Sequence, residues 1–68
     1  MQYSNLIGEM AKRKIEKYKV ARELGIHVNS FRNKLNGKTS FSVDEAIQIQ
    51  EAFFPDLEIK YLFGRDRR

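Results

Sequence analysis

Between Val28 and Asn36 the chain sets Asn29, Arg32, Asn33 and Asn36 at successive spacings of three, one and three residues. At about 100° per helical residue, Phe31 and Leu35 mark one side of a helix there and the four polar residues fall on the other. Asn pairs bidentately with adenine and Arg with guanine, so an exposed Asn/Arg face on a helix able to enter the major groove is suited to reading base edges. The candidate base contacts are Asn29, Arg32 and Asn33, with Val28 set either against a thymine methyl or over the edge of the core. Candidate phosphate contacts flank this helix: Lys17, where backbone amides and the helix dipole also attract anions, then Lys34 and Lys38. His27 at the helix entry and Ser30 on its flank complete the set. Taken singly, each of these side chains also reads as a solvated surface group, and only their common placement gives them weight.

Other chemistries find little material. There is no cysteine and one histidine, so a metal site would lack ligands. No nucleophile–base pair and no Gly-rich phosphate loop occurs, and Asp44, Glu45 and Glu51 read as helix-capping or solvated acids, which argues against an enzyme. No cofactor and no small-molecule ligand is expected. Thirteen Lys and Arg against nine Asp and Glu leave a formal charge of +4, which favours a polyanionic partner without proving one. Without cysteine, a signal-like apolar stretch or an apolar run of about 18 residues, a cytoplasmic setting away from membranes is expected.

The elements that must position this face read as all-α. Sixty-eight residues, 41% of them hydrophobic, suit one small core. A single domain over 1–63 with a basic tail, 64–68, is expected. Ser4 is placed to cap a first helix, running to about Lys14, in which Tyr3, Leu6, Ile7 and Met10 form one stripe. A second helix from about Lys17 to Leu24 turns Val20, Ala21 and Leu24 inward and stops at Gly25. A third runs from Val28 to about Asn36 and stops at Gly37. Ala21 lies where two helices cross closely, Gly25 permits the sharp turn, and Phe31 locks one helix on the other, which is the mechanics of a helix-turn-helix. Ser42 and Glu45 make a capping box for a fourth helix carrying Val43, Ala46, Ile47, Ile49 and Phe53. Beyond Pro55, Asp56 is placed to cap a last helix with Leu57, Ile59, Leu62 and Phe63.

With these residues in view, Leu6 to Phe63 resembles the small repressor and Cro-like helix-turn-helix regulators of temperate bacteriophages. Ser30, Phe31, Lys34, Leu35, Asn36, Gly37 and Lys38, followed by Phe41 and Glu45, resemble a subgroup of short phage regulators of lysogeny. The resemblance implies a five-helix lambda-repressor-like fold, double-stranded operator DNA as ligand in a bacterial host cell, and a symmetric homodimer on two half-sites about one helical turn apart. Three positions depart from the pattern. Lys17, preceded by Glu16, stands where relatives have Gln after a hydroxyl cap. Met10 and Leu35 replace an Arg–Glu pair and are expected to touch, an exchange that avoids desolvating two charges. Lys34 takes a position apolar in many relatives.

Two readings follow: a transcriptional regulator that binds an operator, and an interaction module acting on another regulator. A homodimer also gains motive from Phe54, Tyr61, Leu62 and Phe63, a concentration of large apolar groups, although core filling accounts more simply for at least two of them.

Overall fold

The computed structural model describes residues 3–64, and all regular structure among them is helical. In chain order α1 spans Ser4–Lys12, α2 Lys17–Leu24, α3 Val28–Leu35, α4 Val43–Phe53 and α5 Ile59–Leu62. None of these helices is long and apolar enough to cross a membrane. The expected tail lies outside the described residues beyond Gly64.

One core joins all five helices. Leu6 from α1, Val20 from α2, Phe31 from α3, Ile49 from α4 and Leu62 from α5 are fully buried, as is Phe54 just past α4. Met10 and Leu35, expected to touch, are both buried in the same cluster. α2 packs against α3 and α4, while α5 packs against α4 and α1. Tyr3, Phe31, Phe41 and Phe63 meet edge to face, with Phe41 5.2 Å from both Tyr3 and Phe63 and 6.0 Å from Phe31. Such contacts add to the area these rings bury.

Three helix ends close in one way. After α2, Gly25 adopts φ 72°. Its N–H donates to Arg22 O at 3.1 Å, and that of Ile26 to Ala21 O at 3.0 Å. This six-to-one, five-to-two pair is the Schellman closure, and the left-handed residue in it is cheapest as glycine. After α3, Gly37 repeats it at φ 84°, with Lys38 N–H donating to Asn33 O at 2.9 Å. After α1 the left-handed residue is Lys14, at φ 57°, with Ile15 N–H donating to Met10 O at 2.9 Å. That reversal ends α1 at Lys12 instead of near Lys14.

Two expectations need correction. Ser4 is not the cap of α1 but its first residue; Tyr3 holds the capping position at φ 56°, with its ring buried. Asp56 does not cap α5, whose capping position is Glu58. The Asp56 carboxylate instead takes the Arg13 guanidinium in two parallel bonds of 2.7 and 2.9 Å. Of the apolar residues that α4 carries, Val43 and Ile47 stay outside the core, 75% and 37% exposed. Ala46 and Ile49 set the inward direction, and at about 100° per residue Ile47 lies some 130° from their mean. Phe54 and Leu62 are wholly inside one chain, the core filling expected for at least two of the four large apolar residues near the end, while Tyr61 is 41% exposed.

Candidate nucleic-acid interface

α3 owes its position to two apolar anchors and two closed ends. Phe31 and Leu35, one turn apart, are buried beneath it, and Val28 is half-buried against the same core. Val28 therefore covers the core edge, the second of its two expected roles. At the entry, His27 Nδ1 accepts the Asn29 N–H at 3.1 Å. An accepting Nδ1 assigns the hydrogen of the neutral ring to Nε2, which makes that nitrogen a donor. Gly25, in the turn before α3, has open space where a Cβ would stand, so it is required for backbone conformation and not for room.

Asn29, Ser30, Arg32, Asn33 and Asn36 are exposed along α3 and at its end, and no intramolecular hydrogen bond among the described residues holds the side chains of Asn29, Arg32 or Asn33. Unspent donors and acceptors in fixed register are what base-edge recognition requires. Arg32 is brought beside Lys17, the first residue of α2. The two line a hollow of about 480 Å³ whose floor includes Ile7, Met10 and Leu35. They also share a smaller one of about 220 Å³ that reaches Asn36. On the far flank, Ser30 and Asn33 border a hollow with Thr39 and Glu45.

The expected phosphate cations divide. Lys17 and Lys38 are exposed and have no acidic partner within ion-pair range among the described residues. Lys34 is engaged inside the molecule: its Nζ donates to Ser40 O at 3.0 Å, lies 3.3 Å from Glu45 Oε1 and sits 6.0 Å from the Phe41 ring centre. Glu45 Oε1 also accepts the Ser42 N–H at 2.9 Å, while Ser42 Oγ accepts the Glu45 N–H at 3.1 Å. Burial would raise the Glu45 carboxyl, but the Ser42 amide and Lys34 outweigh it and hold it below the usual carboxylate range. Lys34 thus fastens the end of α3 to the start of α4.

A second charged group joins the end of α1 to α5 and to the segment before it. Tyr61 Oη donates to Glu9 Oε2 at 2.7 Å, and Lys12 stands 3.5 Å from the same oxygen. The Tyr61 bond, chiefly, keeps the Glu9 carboxyl low against the opposing effect of its burial, and in return raises the phenol. Arg13 is taken up by Asp56 and stacks on Phe54 at 5.1 Å. The basic run around Arg13 is therefore largely neutralised in place, unlike Lys17, Arg32 and Lys38.

Sequence reasoning missed three features. Gln50, half-buried, donates to Leu57 O at 2.9 Å and Phe54 O at 3.2 Å, tying α4 to the chain that follows. Gln48 donates to Glu23 O at 2.8 Å, linking α4 to α2. Neither glutamine carries a local signal, since its partners are main-chain carbonyls set by the fold. The pairing of Lys17 with Arg32 was likewise invisible, although both residues were candidates. Compared with family models, characterised proteins and solved structures, the chain has no significant match in any of the three.

Proposed function

We propose that this chain is a sequence-specific DNA-binding regulator of transcription, of the phage repressor and Cro type, that reads an operator through the major groove. In this reading α2 and α3 form a lambda-repressor-like helix-turn-helix, with α3 presenting Asn29 and Asn33 to base edges and Lys17, His27, Ser30 and Lys38 meeting phosphates. One observation carries it: a helix anchored by Phe31 and Leu35 turns a row of exposed, unbonded amides outward, with unpaired cations on its flanks. Lys34 drops out of the phosphate set because its ammonium already serves Ser40 and Glu45.

Fluorescence anisotropy tests the reading. The chain should bind a duplex chosen by selection from random oligonucleotides far more tightly than a random duplex of equal length. Asn33→Ala should cost roughly 1–3 kcal/mol on the selected duplex and little on the random one. Equal preference by wild type for both duplexes overturns the proposal. Two copies on one selected site, with half-sites about one helical turn apart, belong to the same reading. One chain per duplex at saturation removes that part.

A further inference from the structure

We infer that Arg32 grips a backbone phosphate beside Lys17 and does not read a base, so that α3 reads DNA through amides alone and selects adenine where it touches. This rests on the DNA-binding reading above. The inward direction of α3 is fixed by Phe31 and Leu35, which are 0% and 2% exposed. At about 100° per residue, Asn33 lies opposite that direction, about 180° from it, and Asn29 is about 40° from Asn33. Arg32 is about 100° from Asn33, on the flank.

That flank faces the other elements. Arg32 shares both hollows with Lys17, Ile7 and Leu35, which places its side chain beside the N-terminus of α2. Glu16 lines the larger hollow too, yet forms no ion pair with either cation. In a helix laid along the major groove, the outermost residues meet base edges while the flanks meet the two phosphate ridges. Two neighbouring cations without acidic partners, one from each helix, suit a ridge and not the groove floor. What remains outermost is Asn29 and Asn33. An Asn amide has one acceptor and one donor group, matching adenine's N6 donor and N7 acceptor; guanine offers two acceptors there and leaves the Asn oxygen opposed.

The test is selection from random duplexes with the full chain, as wild type, Arg32→Lys, Arg32→Ala and Asn33→Ala, each checked for helicity. The wild-type consensus should carry adenines at two positions in each half-site. Arg32→Lys should return the same consensus at close to wild-type affinity, because a phosphate needs only a cation. Arg32→Ala should keep the consensus while weakening every duplex alike, with the salt slope smaller by about one. Asn33→Ala should lose about 5- to 150-fold in preference at one adenine. A consensus guanine that disappears with Arg32→Lys overturns this inference and leaves the DNA reading standing. Binding of wild type without any consensus overturns both.

Discussion

The His27 ring works on both sides. Its Nδ1 closes the start of α3 by accepting the Asn29 N–H, which leaves Nε2 as the outward nitrogen. Two substitutions separate these duties. His27→Ala should lose the cap and destabilise the chain by about 1 kcal/mol in a thermal melt, whereas His27→Asn keeps a capping oxygen and should melt near wild type. On the selected duplex both should bind more weakly, since neither extends a donor as far as Nε2. Equal binding by His27→Asn and wild type would confine His27 to capping. Gly25 makes a similar contrast between space and conformation. A Cβ there meets nothing within 4 Å, yet φ is +72°. Gly25→Ala should therefore cost about 1–2 kcal/mol, from backbone strain alone.

Each element owes its bounds to signals of different reach. The Ser42–Glu45 box is complete within four residues, so it could be read from the sequence and is found in both of its bonds. Ser42→Ala should lower the melting temperature by about 4–8 °C, the equivalent of about 1 kcal/mol in a domain of this size. The limits of α2 were legible for the same reason: Gly25 encodes its stop locally, and α2 spans the expected Lys17–Leu24. α3 was legible to within one residue, ending at Leu35 with Asn36 as its cap. Asp56 shows where local reading stops. An aspartate after a proline carries a capping signal, but Arg13, 43 residues away, takes its carboxylate. Val43 and Ile47 make a related point, because α2 and α5 set the buried side of α4 and apolar type alone does not name it. Of the candidate site, the outward amides could be read from a helical wheel anchored on Phe31. The engagement of Lys34 and the pairing of Lys17 with Arg32 depend on α4 and α2, and no spacing within α3 reveals them.

At the scale of the whole molecule, charge sets two expectations. Lys17, Arg32 and Lys38 give about three phosphate neutralisations per copy, so log affinity should fall with log salt at a slope of about −2.7 per copy. A slope near zero would remove the electrostatic part of the reading. The carboxyls of Glu9, Asp56 and Glu45 are all held below their ordinary values: by Tyr61 first at Glu9, by Arg13 at Asp56, and by Ser42 and Lys34 against burial at Glu45. A carboxyl lowered by folding stabilises the fold when ionised. That stabilisation is complete above the ordinary carboxylate values near about 4 and is lost as pH falls through the lower folded ones. The Tyr61 phenol, raised mainly by its bond to Glu9, contributes with the opposite sign and is lost as pH rises past about 10. The melting temperature should hence be level from about pH 5 to 9 and fall on the acid side, less steeply in Glu9→Gln. A melting temperature that rises between pH 6 and pH 3 overturns this account.

The three Schellman closures at Lys14, Gly25 and Gly37 also bear on how fast the chain finds its shape. Each reversal is specified by bonds between residues no more than five apart, so the hairpin-like bends need no distant partner to begin forming. Little loop-closure entropy stands in the way of early collapse, and the main phase of stopped-flow refolding should finish within milliseconds. Gly37→Val, which penalises one of those bends before the helices meet, should slow that phase as well as weaken the product.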